Sequence, residues 1–124
     1  MVAQILGTVI AVVYLGGGLF HLWAITSGRL DVYQAFDDAA IGVYQASWSG
    51  LVEPALPWIV VPVIVWEWTL GVLMLGRGRA ARLGQLGGAA WNLLLAPFDP
   101  PWLGCVALAA VHLWLATRTF DRPV

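Results

Sequence analysis

The sequence has no lysine, a single cysteine, and charge on only 10% of its 124 residues. One cysteine, Cys105, excludes an intrachain disulfide. Its apolar surroundings mark it as a packing residue. Soluble domains carry about 25% charged residues. The shortage of charge, beside 60% hydrophobic residues, points to lipid rather than water as the solvent of this chain. A net charge of −1 argues against nucleic acid, which calls for a basic surface. The opening residues, MVAQ, lack the basic start of a secretory signal, so the first apolar run is expected to stay as a membrane helix. There is no phosphate loop, no CxxC and no Ser/His/Asp arrangement with a recognisable local context, so no reaction type is specified.

What the sequence does have is apolar length. Four stretches stand out, at about 2–25, 57–76, 83–96 and 102–117. They predict an all-α fold in one domain, 1–124: a four-helix transmembrane bundle with a short amphipathic surface helix between helices 1 and 2. The last two stretches are short for a hydrocarbon core of about 30 Å. Two spans with a re-entrant hairpin form the alternative.

Boundary residues divide the chain in the same way. Gly28 suits a left-handed helix end. Asp31 and Gln34 have capping-box spacing. From there Val32, Ala35, Phe36, Ala39, Val43 and Ser47 share one helical face, as a helix covering the end of the bundle would require. Glu53-Pro54 and Pro57 are expected to break that helix and open the second span, with a possible kink at Pro62. Asp99 and Pro100 have the pattern of an N-cap followed by a first helical residue.

All six positive charges are arginine. Arg77, Arg79 and Arg82 lie between the second and third spans, and Arg118 and Arg122 follow the fourth. The opposite side holds Asp31, Asp37, Asp38, Glu53 and Asp99 with Arg29. The positive-inside rule then sets the chain in the cytoplasmic membrane, with both termini and the 77–82 turn cytoplasmic and the 26–56 connection outside. Trp23, Trp48, Trp58 and Trp102 fall at the outer boundary, as an interfacial aromatic belt does.

Glu67 is the one charge in the apolar segment Pro57 to Gly76. A carboxylate at that depth costs at least about 2.5 kcal/mol unless it is paired, protonated or facing water. Counting from span ends at about 1.5 Å per residue puts Tyr14, Glu67, Asn92 and His112 in one depth band. With Trp68 they form the candidate ligand-binding cluster, because lipid offers polar groups no partner. Each sits on a face with small residues: Tyr14 with Gly17, Gly18 and His21; Glu67 with Val60, Ile64, Gly71 and Met74; Asn92 with Gly84 and Gly88; His112 with Cys105, Leu108, Ala109 and Ala116. Glu67 reads either as a neutral structural glutamate or as a proton-handling or ligand-binding group. Both histidines read first as satisfied neutral imidazoles.

His21 sits about one turn below the outer boundary. It is a weak metal candidate, with outer carboxylates as partners, because no tight ligand spacing accompanies it. His21 and His112 differ in depth by about 9 to 10 Å, a poor match for the two axial ligands of one haem.

The run Glu67-Trp68-Thr69-Leu70-Gly71, continuing through a Leu-rich stretch to Gly76-Arg77 and then Arg82-Leu83-Gly84, resembles the DoxX-like family of small four-helix membrane proteins. The glycine-rich first span, Gly16 to Leu22, is similar to that family's first helix. Where the family commonly has a lysine, this chain has His21. The motif covers about twenty residues, and Glu67 and Gly71 are the positions that map. The resemblance implies a quinone-linked or redox-associated role, because members include subunits of a quinol oxidase and of a thiosulfate:quinone oxidoreductase. The expectation is an accessory subunit of a membrane oxidoreductase complex, with the bilayer and other membrane subunits as partners and quinone as a possible ligand. A stand-alone protein binding or transporting a small apolar molecule, or a haem- or metal-carrying subunit, is the alternative.

Overall fold

The computed structural model describes residues 2–39, 42–98 and 102–118. Helix α1 spans Val2–Thr26. A 3-10 turn, Leu30–Tyr33, leads to the short helices α2, Gln34–Ala39, and α3, Val43–Ser47. A π turn, Trp48–Val52, then feeds α4, Glu53–Leu75. Helices α5, Gly78–Leu95, and α6, Trp102–Ala116, complete the chain. The fold is all-helical with four long helices, and no strand occurs among the described residues.

The long helices pack in chain order, α1 on α4, α4 on α5 and α5 on α6. Small residues permit the close approaches. A Cβ on Gly71 would stand 3.1 Å from the Ala11 carbonyl oxygen, and one on Gly84 would stand 2.8 Å from the Met74 backbone nitrogen. One core, at the end that carries the N-terminus of α1, draws on all four: Ile10, Ala11 and Tyr14, Leu70 and Met74, Ala81, and Leu115. A second core closes the opposite end, where Tyr33 and Trp48 pack with Ala24, Leu56, Val60 and Ile64. Phe98, just beyond α5, meets both Trp48 and Tyr44 edge-on or tilted, at 5.9 and 5.4 Å between ring centroids.

Several local expectations hold. Gly28 takes φ +67°, and the Arg29 amide reaches back to the Ala24 carbonyl at 2.8 Å, a left-handed helix end. The glutamate face of α4 is buried throughout, at Val60, Ile64, Glu67, Gly71 and Met74.

Others are corrected. The 31–47 surface helix is three pieces, interrupted around Gly42, whose φ is +45°. Of its expected apolar face, Val32 packs against the second core but Val43 is 76% exposed, and the side chains of Phe36 and Ala39 lie outside the described residues; Tyr33 and Trp48 are the buried residues. The Tyr33 and Trp48 rings bury far more surface than Val43 could. Trp48 is thus a plug and not a belt residue. Asp31 does not cap a helix; its carboxylate holds the Arg29 guanidinium at 2.9 and 3.1 Å.

Glu53-Pro54 and Pro57 break nothing. The helix is continuous from Val43 to Leu75. Pro54 directly follows the π turn Trp48–Val52, where the hydrogen-bond ladder changes register and can leave out its missing N–H. Helix α5 begins at Gly78, so the basic loop shrinks to Gly76-Arg77, with Arg79 and Arg82 on the helix. The proposed cap at Asp99-Pro100 lies outside the described residues, as do Arg122 and the side chains of Phe36, Asp37 and Trp102.

Apolar side chains cover the outside as well as the inside. On α1, Val2, Ile5, Val9, Val12, Val13 and Leu19 are each more than half exposed. Trp58, Val65 and Val72 on α4, Leu83 and Leu94 on α5, and Leu103 on α6 continue that surface. Helix α1 and the helix Val43–Leu75 are long and apolar enough to cross a membrane, and α6 contains a shorter apolar run, Leu103–Ala116.

Candidate functional site

The polar residues expected to form one cluster form two. The antiparallel register of α1 and α4 separates them. Gly71 meets Ala11 and Leu15, so Glu67, one turn earlier in α4, meets Gly17. Glu67 therefore lies a turn beyond Tyr14, toward His21 and the 27–52 connection.

The first cluster joins α1, α5 and α6. Asn92 Nδ2 donates to the Tyr14 hydroxyl at 2.8 Å and to the Gly88 carbonyl at 2.9 Å. His112 Nδ1 meets Gln85 Oε1 at 2.7 Å, and its Nε2 meets the Tyr14 hydroxyl at 3.2 Å. A carbonyl oxygen can only accept, so Nδ1 carries the proton and Nε2 accepts from Tyr14. The Tyr14 and His112 rings pack edge to face, with centroids 5.6 Å apart. Gly88 makes room: a Cβ there would stand 2.5 Å from His112 Cε1. Gln85 and His112 are wholly buried, and Gln85 Nε2 has no hydrogen-bond partner.

Each member but Gln85 is satisfied by another, which suits a rigid strut better than a site awaiting a ligand. Gln85 was not among the sequence candidates. Its signal was present: Gln85, Gly88 and Asn92 are spaced three and four apart on one face.

The second cluster joins α1, α4 and the 3-10 turn. His21 Nε2 stands 3.5 Å from Glu67 Oε2. At that distance, and without hydrogen-bond alignment, the contact is an ion-pair approach, and Glu67 Oε2 is left buried with no hydrogen-bond partner. His21 Nδ1 meets the Tyr33 hydroxyl at 2.5 Å, and the two rings stack with 12° between their planes. Tyr33 also was not among the sequence candidates. It lies in a 3-10 turn, where the α-helical spacing read for this segment does not apply.

Trp68 belongs to neither cluster. Its indole N–H donates to the Leu15 carbonyl at 3.2 Å, and its ring occupies the space that a Cβ on Gly18 would need, 2.3 Å from that position. It straps α4 to α1.

Beside the second cluster, on the side of the connection, is a cavity of about 440 Å³. Asp31, Tyr33, Gln34, Trp48, Glu53 and Pro57 contribute to its wall. Burial, and after it the negative charge of Glu67, push the Tyr33 phenol up to about 12. The Arg29 guanidinium hydrogen-bonded to Asp31 holds that carboxyl below its ordinary value.

Among the described residues no metal donor set gathers around His21. Glu53, the outer carboxylate expected near His21, is exposed on the cavity wall, and Asp99 lies outside the described residues. No group of three or more His, Cys, Asp or Glu gathers among the described residues. Both ring nitrogens of His112 are engaged by Gln85 and Tyr14, and those of His21 face Tyr33 and Glu67, so the pair is not arranged for axial ligation.

Comparison with known proteins adds no relative: no family model, curated protein or solved structure matches this chain.

Proposed function

We propose that this chain is an integral membrane protein, crossing the bilayer with all four long helices, and that it serves as an accessory subunit of a membrane oxidoreductase complex. The observation that carries the membrane reading is an inversion of the usual pattern. Of the most apolar 18 residues in α1, 28% are buried, and in Val43–Leu75 the share is 33%. A core helix of a soluble protein would be mostly buried. Here the apolar side chains face out, and Glu67, His112, Gln85 and Asn92 are inside. Helices apolar all round and exposed belong in lipid.

Helices α5 and α6, at 18 and 15 residues, are about 27 and 22 Å long. They span by letting end residues reach the interface, as Arg118 does over the Trp114 ring at 4.5 Å. Arg77, Arg79, Arg82 and Arg118 gather at one end of the bundle, which under the positive-inside rule is the cytoplasmic end. A reporter fused after Val124 is expected to be cytoplasmic.

The subunit reading rests on the resemblance to DoxX-like proteins and on the way the Tyr14–Asn92–His112–Gln85 network satisfies itself. That network braces the bundle. Glu67 and His21 keep unused hydrogen-bonding capacity, so they are the groups able to address a quinone oxygen or a lipid headgroup. Gentle extraction followed by native mass measurement tests the assignment. A mass including other subunits is expected. A mass equal to this chain alone would overturn it in favour of a stand-alone binding protein.

A further inference from the structure

We propose that Tyr33 and His21 form a proton route between the cavity at the connection end and the buried carboxyl of Glu67. The proposal deepens the membrane reading above by giving the ionisable site a proton supply, and it does not depend on any partner subunit.

Three observations carry it. Tyr33 is on both sides of the barrier: it lines the cavity, and its hydroxyl bonds His21 Nδ1. The other nitrogen of the same ring faces Glu67 Oε2 at 3.5 Å. That oxygen is buried and has no hydrogen-bond partner, the position of an acceptor awaiting a proton. Hydroxyl, imidazole and carboxyl thus lie in series from a polar-walled space into an apolar bundle.

The transfer balances within these groups. Tyr33 gives its hydroxyl proton to His21 Nδ1 and takes one from a hydronium ion or protonated buffer base that reaches the cavity, which leaves as water or free base. His21 releases the proton on Nε2 to Glu67 Oε2. One proton has then moved from the cavity to Glu67, with the tyrosine restored and the imidazole left in its other tautomer. Rotation of the hydroxyl and a flip of the imidazole ring, which carries the Nδ1 proton round to the Glu67 side, reset the chain. Glu67 gains charge neutrality, which favours the step in a medium that penalises ions.

The ionisable groups around this path are few. Helix α1 presents His21 and, about two turns further in, Tyr14. Helix α4 presents Glu67, with Glu53 at its exposed start. The 3-10 turn presents Tyr33 and Asp31, whose charge is held by Arg29. Helix α5 presents the amides Gln85 and Asn92 to the interior, and α6 presents His112 and Cys105, which are near Tyr14.

Infrared spectroscopy of the purified chain in detergent tests the route. A carboxylic acid C=O band that shifts on transfer to heavy water and is missing in Glu67→Gln identifies the protonated carboxyl. In Tyr33→Phe, which keeps the stacked ring, hydrogen–deuterium exchange of that band is expected to slow by about tenfold or more. His21→Phe should give the same result. Unchanged exchange in Tyr33→Phe with an unchanged melting temperature would overturn the route, as would the absence of any Glu67 band that responds to pH. Finding the chain alone by native mass would sink the subunit reading and leave this one standing.

Discussion

Glu67 rests against Gly17 so closely that a Cβ on the glycine would stand 2.6 Å from the carboxylate Oε2. The carboxyl is the free end of a flexible side chain, so it can give way. Gly17→Ala should therefore lower stability by only about 1 kcal/mol, at the gentle end of overpacking, while moving Glu67 relative to His21. Gly88→Ala is different. The new Cβ would meet the His112 ring at 2.5 to 2.8 Å, and that ring is wholly buried and held at both nitrogens. A loss of about 2–3 kcal/mol is expected. Gly16 has nothing within 4 Å of its Cβ position, so Gly16→Ala should be neutral or slightly stabilising. Thermal unfolding in one detergent ranks the three, and the order Gly88, Gly17, Gly16 is the expected result.

Tyr14 receives from Asn92 and gives to His112, so it couples α5 to α6 through α1. Tyr14→Phe and Asn92→Leu should each cost about 1 kcal/mol. Because they share one bond, the double variant should cost less than the sum, with a coupling of about 0.6 kcal/mol, the usual worth of such a bond between membrane helices. A double-mutant cycle measures it. Strict additivity would show that the 2.8 Å contact contributes nothing.

Tyr33 supplies a pH dependence. Its phenol is pushed up to about 12 in the folded protein, against about 10 in an unfolded chain. A group raised in this way favours the folded state fully below pH ~10, and that contribution is lost as pH rises toward ~12. Alkaline titration followed by near-ultraviolet circular dichroism should show the connection end loosening in that window. Tyr33→Phe is expected to remove this alkaline component while leaving the behaviour near neutrality unchanged.

Hydropathy made the four long helices legible, and with them the inward direction of Glu67, Asn92 and His112. A charge or amide in an apolar run has one economical place to go. The pairing of those groups was less legible. Depth counted from span ends assigns each residue a level only as well as the ends are known. Helix α5 starts five residues before the expected boundary, and the helix leading into α4 starts well before its own. A shift of one turn is enough to take Glu67 from Tyr14 and give it to His21. Tyr33 escaped the spacing argument because its segment reads as one α-helix with Val32 and Ala35 on the covered face, whereas Leu30–Tyr33 is a 3-10 turn that puts the tyrosine inside. Gln85 could have been found. It shares a face with Gly88 and Asn92, and it escaped notice because it sits near the arginines, where an amide looks interfacial.

The unbroken helix from Val43 to Leu75 has 33 residues. At 1.5 Å per residue it measures about 50 Å, well beyond the thickness of the hydrocarbon layer. Its first dozen residues exceed what such a layer needs, and the π turn within them seats Trp48 in the core beside Tyr33 and Leu56. One continuous backbone thus carries both the ring that closes the connection end and the glutamate at the inner cluster.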